Sequence, residues 1–236
     1  MIKKFILIPV EAFVRATKNK NFRFDDELSL GSLIGLTFNQ LILRLRGKKL
    51  FFRGRLVNGL QLGFRVTIRN FAKISIGRNV KLDDYVLLDG LGTEGLSIGD
   101  NCSIGAYSKL VVSTSYNNLG KGITLGSNIG IGEFAYIGGA GGLKIGNETI
   151  VGQYLSIHPE NHNFEDINVP IRHQGVSRVG VLIGKNVWIG SKVTILDGVK
   201  IGDGSIVAAG SVVTAGEYKK NSIIAGNPAK LISIRS

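Results

Sequence analysis

The chain holds a single cysteine, Cys102. One thiol excludes an internal disulfide framework and agrees with a reducing compartment. Imidazole is scarce too: His158, His162 and His173 are the only three histidines. No apolar run is long enough to cross a bilayer. Phe5–Val10 is short and lacks a signal-cleavage pattern, and the uncharged stretch Leu28–Leu43 contains Asn39 and Gln40. Acid is under-represented, with 17 Asp and Glu against 29 Lys and Arg, a net charge of +12. Residues 1–55 carry twelve basic and four acidic side chains, a net +8, which leaves +4 for the other 181 residues. Such a bias suits nucleic acid, anionic lipid or acidic polysaccharide. No nucleic-acid-binding motif accompanies it, so nucleic acid is not an expected partner.

What the chain has in abundance is a period of six. From Val181 to Gly216 the sequence reads VLIGKN VWIGSK VTILDG VKIGDG SIVAAG SVVTAG. The third residue of each block is aliphatic: Ile183, Ile189, Ile195, Ile201, Val207, Val213. Neither a helix face nor a plain alternating strand has this period. A hexapeptide β-helix does, each block giving one short strand and one corner. The same frame runs upstream through Ile76, Leu82, Leu88; Ile98, Ile104, Leu110; Leu125, Ile131, Ile137; and Ile145, Val151, Ile157. Extra residues enter only after every third block, at Gly92–Gly95, around Thr114–Gly122, at Gly141–Gly142 and at Asn161–Gly180. Three blocks make one triangular coil, so all insertions are expected at one corner, where they would build a common site. Glycine is abundant, at 33 residues, because corners recur, and is not a sign of disorder. Cys102 precedes inward Ile104 by two and is expected to face inward as a structural thiol.

Three parts are expected. Residues 1–55 form a basic segment with a helix that either caps the open end of the prism or lies on an anionic membrane surface. Residues 56–216 form the β-helix, with a loop excursion at 158–180. Residues 217–236 form a tail that leaves the prism. Leu56, Leu62 and Ile68 are inward candidates of an irregular first coil, and the regular prism is expected from Ile74. Gly90–Gly95 matches G-x-G-x-x-G, but a strand follows where a dinucleotide site needs a helix, so it reads as a corner insertion.

NVWIGSKVTILDGVKIGDGSIVAAGSVVT and the later IIAGNPAKLI resemble the hexapeptide-repeat acyltransferases, in particular the O-acetyltransferases of sugars and surface polysaccharides. The resemblance covers about residues 74–232. It implies an all-β fold, a left-handed parallel β-helix with an N-terminal helical segment and a long active-site loop. It further implies homotrimers with sites between subunits, and acetyl-CoA as acyl donor with no metal. The expected acceptor is a sugar or lipid-linked glycan, met in the cytoplasm or at the inner face of the cell membrane.

The resemblance marks His162, in HPENHNFEDINVPIRHQG, as the general base for a hydroxyl acceptor; a neutral imidazole suits that work near neutral pH. His158, at a strand end, is the rival base or a wall residue. Asn161, Glu133 and Tyr136 are placed with His158 on the acceptor side, and Glu165 or Asp166 as turn residues within reach of an imidazole. His173 reads as a solvated loop residue. Trp188, Ser191, Ala209 and Thr214 match the family's coenzyme groove, with Lys219 and Lys230, joined by Lys220 and Arg235, near the nucleotide phosphates. Two positions depart from the pattern. Ala215 replaces a lysine, and Gly139–Ala140 stand where relatives that acetylate galactosides and maltose carry an acid. Three alternatives remain: an amine or small xenobiotic acceptor, a metal-binding prism like the γ-type carbonic anhydrases, and a non-catalytic β-helix.

Overall fold

In the computed structural model, residues 11–12, 15, 21–25, 27–48 and 57–236 are described. The basic Met1–Val10 run, Lys49, Arg53, Arg55 and the inward candidate Leu56 lie outside the described residues.

The hexapeptide frame becomes a three-faced left-handed prism of short parallel strands. On the first face the inward column is Leu62, Leu82, Ile104, Ile131, Val151, Ile189, Val207 and Ile224. On the second it is Ile68, Leu88, Leu110, Ile137, Ile157, Ile195 and Val213. Ile76, Ile98, Leu125, Ile145, Ile183, Ile201 and Tyr218 form the third. Nearly all these side chains are buried in one continuous core. Each fully buried aliphatic side chain contributes about 1.5–3 kcal/mol relative to an exposed one, so the repeat supplies stability coil by coil. Cys102 is buried as expected, with Sγ 3.1 Å from the Gly126 carbonyl.

The irregular first coil forms with Leu62 and Ile68 inward, and at the other end the prism is longer than the sequence pattern suggests. Gln61–Leu62 and Thr67–Arg69 already pair in register with the next coil, and the two extra residues before Ile76 become a 3₁₀ turn, Phe71–Lys73. At the other end the chain does not leave at Gly216. Gly216–Tyr218 continues the third face, Ser222–Gly226 the first, and Ala229–Ile234 folds back antiparallel on that last strand. Tyr218 follows Val213 by five residues instead of six, and that slip hid both it and Ile224.

Two corners are regular and one is not. Between the first and second faces, Tyr85, Tyr107, Phe134, Tyr154 and Lys192 all adopt φ of 58–60°. The four rings stack at 4.9, 5.1 and 5.0 Å from Tyr85 to Tyr154, and Phe64 meets Tyr85 edge-on at 5.7 Å. Between the third and first faces, Asn79, Asn101 and Asn128 also take positive φ, and their amides bond up the stack at 3.2 and 3.0 Å. Asn tolerates this conformation well, and amide pairing from coil to coil offsets its strain. The corner between the second and third faces has no such repeat. Every insertion leaves there, including the Phe71–Lys73 turn.

Helix α1 (Leu30–Lys48) begins at Ser29, whose Oγ accepts the Ser32 N–H at 3.0 Å, and ends with Arg46 and Lys48 near its negative pole. Leu33, Leu43 and Gly47 are buried. A Cβ at Gly47 would stand 2.1 Å from the Leu60 carbonyl oxygen, so only glycine lets the helix approach the first coil this closely. The C-terminal end of α1 therefore lies against the first coil of the prism. A second stripe, Leu30, Ile34, Phe38, Leu41 and Leu45, spans less than a quarter of the helix circumference at 100° per residue and is exposed. Among the described residues no helix is long and apolar enough to cross a membrane.

Candidate active site

The longest insertion is an ordered arm. Asn161–His162 pairs antiparallel with Val176–Ser177, Asn161 opposite Ser177 and His162 opposite Val176. Asn163 N–H donates to the Gly175 carbonyl and its Nδ2 to that of Gln174, both at 3.1 Å. Gln174 holds the arm's tip, its Nε2 donating to the Asp166 and Val169 carbonyls at 2.7 and 2.6 Å. At the returning foot, buried Asp197 accepts the Val179 N–H at 2.9 Å and the Gly180 N–H at 2.7 Å. His162 therefore stands exposed on a two-stranded ribbon beside the insertion corner.

His158 sits at the root of this arm, at the end of the second-face strand Ser156–His158. Its Nε2 lies 2.7 Å from Ser156 Oγ, and its ring packs on Tyr136, 5.4 Å between centroids at 24°. Burial first, and the Glu160 carboxylate second, push the Tyr136 phenol above its ordinary pKa, so it stays a neutral donor. The structure thus brings together Tyr136, Ser156, His158 and Glu160. Asn161 and His162 rise from the same root.

The remaining predicted residues lie elsewhere. Glu133 is exposed at the corner between the first and second faces, at the opposite edge of the second face from His158. Glu165 accepts the Phe164 N–H, and Asp166 the Asn168 N–H, as turn residues do. His173 ends a 3₁₀ turn, Ile171–His173. The three histidines occupy three elements, and among the described residues no three His, Cys, Asp or Glu side chains cluster as a metal site would require.

Trp188 points out from the first face between Ile150 and Ile206. Ser191, whose Oγ donates to Gln153 Oε1 at 2.9 Å, and Ala209 stack at the next corner, where Gly190 lets the coils approach. Thr214 follows Val213 on the second face, in the outward row of His158 and Leu196. Lys219 lies at the third-to-first corner and Lys230 on the antiparallel last strand, both exposed. Lys220 pairs with Asp203 at 3.7 Å, and Arg235 donates to the Gly204 carbonyl at 2.6 Å, so neither stands as a free tail charge. Trp188 and His158 thus occupy different faces of one prism.

Sequence reading missed Glu160, Arg178 and Asp197, and the aromatic corner. The last was visible in principle: Tyr85, Tyr107, Phe134 and Tyr154 each follow an inward residue by three.

Residues 180–215 match the family described as bacterial transferase hexapeptide (six repeats). Over these residues the repeat is similar to the transferase hexapeptide. A comparison with curated proteins returned no match. Among solved structures, a mutant of AntD, an N-acyltransferase from Bacillus cereus, in complex with dTDP-4-amino-4,6-dideoxyglucose and coenzyme A, is similar. It is 24% identical with a TM-score of 0.51, and the match covers 80% of this chain and 89% of that one. The hexapeptide-repeat acetyltransferase VCA0836 from Vibrio cholerae is 19% identical with a TM-score of 0.37, over 85% of this chain and 91% of that one. At such identity the likeness to AntD is one of fold, and it confirms the hexapeptide β-helix.

Proposed function

We propose that this protein is an acyl-CoA-dependent acyltransferase that moves an acetyl group to a hydroxyl of a sugar. The observation that carries the reading is the transferase hexapeptide repeat closing a prism whose histidine-bearing arm rises beside the last coils. His162 accepts the proton of the acceptor hydroxyl as its oxygen attacks the thioester carbonyl. The tetrahedral oxyanion, held by backbone N–H groups, collapses and expels the coenzyme thiolate, which takes the proton back from the imidazolium. No acyl-enzyme forms. His158, Tyr136 and Asn161 line the acceptor side, and Glu133 lies across the second face from them. Trp188, Ser191, Ala209 and Thr214 flank the pantetheine arm, while Lys219 and Lys230 supply positive field for phosphates.

Because Trp188 and the histidines face different ways, one chain alone does not assemble both halves, and a trimer of side-by-side prisms does. The AntD structure is of an N-acyltransferase with an amino-sugar nucleotide and coenzyme A, and an amine acceptor is the second reading. The exposed stripe of α1 and the surplus of positive charge before residue 56 support a further element, contact with an anionic membrane surface that presents a lipid-linked acceptor. Sedimentation with phosphatidylglycerol vesicles, but not with neutral ones, is expected; equal recovery removes that element.

The deciding experiment is titration of acetyl-CoA into the purified protein, followed by melting temperature. A ligand that binds only the folded state adds about 2.7 kcal/mol at a hundredfold excess over Kd. Saturable stabilisation, absent with ADP, supports the reading. No response from a folded protein sinks it.

A further inference from the structure

We infer that Arg178 is a positioning residue that fixes the His162 arm at a set angle to the prism. The inference rests on the proposed function for its catalytic consequence, though not for its structural part. Arg178 follows the ribbon strand Val176–Ser177 directly, at the returning foot of the arm. Its half-buried guanidinium reaches two other segments at once. Nε donates to Glu160 Oε2 at 2.6 Å, with Nη2 also 2.6 Å from that oxygen. Nη1 donates to Asn118 Oδ1 at 2.9 Å and to the Leu119 carbonyl at 3.0 Å, and Nη2 to the Asn118 carbonyl at 3.2 Å.

Glu160 belongs to the outgoing foot of the arm, two residues before His162. Asn118 and Leu119 belong to the insertion that leaves the same corner two coils earlier. One planar cation thereby ties both feet together and braces them on a neighbouring loop. The fork geometry of guanidinium suits this; a lysine offers a point charge that cannot reach all three partners in plane.

The neck is tight around it. A Cβ at Gly141 would stand 2.3 Å from the Pro159 carbonyl oxygen and 3.3 Å from Arg178 Cβ, so the corner glycine makes room for both feet. Asp197 holds only the returning foot, through the Val179 and Gly180 N–H groups. Without Arg178 the outgoing foot keeps its covalent end and the two-residue ribbon, and the arm can rock about Asp197. The same ion pair also screens Glu160, whose charge acts on Tyr136, the ring on which His158 rests. Arg178 acts through its neighbours and is a positioning residue, since it reaches His162 only along the ribbon.

The test uses the full-length protein with Arg178→Ala, Arg178→Lys and Asn118→Ala. Two readouts are taken: hydrogen–deuterium exchange of residues 161–177 without ligand, and transfer from acetyl-CoA to a sugar acceptor. Both arginine variants are expected to exchange faster at the Asn163 amide, which donates to the Gly175 carbonyl, while the coil amides keep their rates. Turnover is expected to fall about 10²-fold, the scale of a displacement near 1 Å, with KM for acetyl-CoA unchanged. Lysine is expected to restore only part of this. Unchanged ribbon exchange, or full rescue by lysine, overturns the inference. Asn118→Ala, which leaves the ion pair in place, carries the exchange test if Arg178→Ala does not fold. Should wild-type protein transfer no acetyl group to any acceptor, the proposed function fails, and the exchange result still decides the role of Arg178.

Discussion

His158 and His162 lie four residues apart, both exposed, and differ in how their rings are held. His158 is held on two sides, by Ser156 Oγ and by the Tyr136 ring. A side chain fixed in this way is a good wall and a good donor to a bound acceptor. His162 is carried by the ribbon backbone, and among the described residues no side-chain partner is shown on its ring. It is open to receive a hydroxyl, and its aim is set by the arm. His162→Ala is therefore expected to lower transfer about 10²–10⁴-fold, the usual contribution of a positioned base, and to leave the acetyl-CoA titration unchanged. His158→Ala is expected to cost less. The reverse order in measured turnover would move the base to His158. From sequence, the residue types and the loop were legible because the six-residue frame leaves Asn161–Gly180 as its largest interruption. The clamp was not. Arg178 meets Asn118 across 60 positions, and Asp197 sits in an ordinary corner block, so neither carries a local signal.

The corner is the element that sets how coils stack. Every inward column between Ile76 and Val213 is legible in the hexapeptide period, because a buried aliphatic at a constant spacing is a local property. The ends of the prism break that spacing and read as irregular. At the first-to-second corner, seven coils need a left-handed residue, which costs a non-glycine side chain about 1–2 kcal/mol. Tyr107 offsets this by stacking between Tyr85 and Phe134, each ring pair contributing about 0.5–1.5 kcal/mol. Lys192 has the same φ of 58° and brings no ring to the ladder, while Gly210 meets the demand at φ 72° without a side chain. Glycine substitutions should then have opposite signs at the two sites. Lys192→Gly is expected to raise the melting temperature by a few degrees, and Tyr107→Gly to lower it. A rise in both would mean that stacking contributes nothing, and the ladder would be a by-product of the repeat.

At the scale of the whole molecule, the prism is a rigid spacer, and in the proposed function it holds the acceptor residues and the coenzyme residues apart. His158 and Tyr136 belong to the second face, with the His162 arm rising from its edge, and Trp188 looks out from the first, one coil further on. Coils locked by continuous ladders do not rotate against one another, so no internal motion brings these groups together. In the proposed trimer, association of copies side by side does, placing the second face of one against the first face of the next. The exposed Ile150 and Trp188 on the first face, and Tyr154 at its corner, give such a contact an apolar centre. This arrangement makes a prediction that neither group of residues makes alone. His162→Ala and Trp188→Ala chains, each purified with low activity, are mixed, dissociated and reassembled. An interface that joins intact His162 of one chain to intact Trp188 of the other is complete, so the mixture should regain activity that neither parent has. Activity no greater than the average of the parents, in a sample shown by mass to contain mixed oligomers, would mean that one chain holds the whole site. Trp188 would then be an interface residue only, and the coenzyme groove would have to be sought along the second face, beside Leu196 and Thr214.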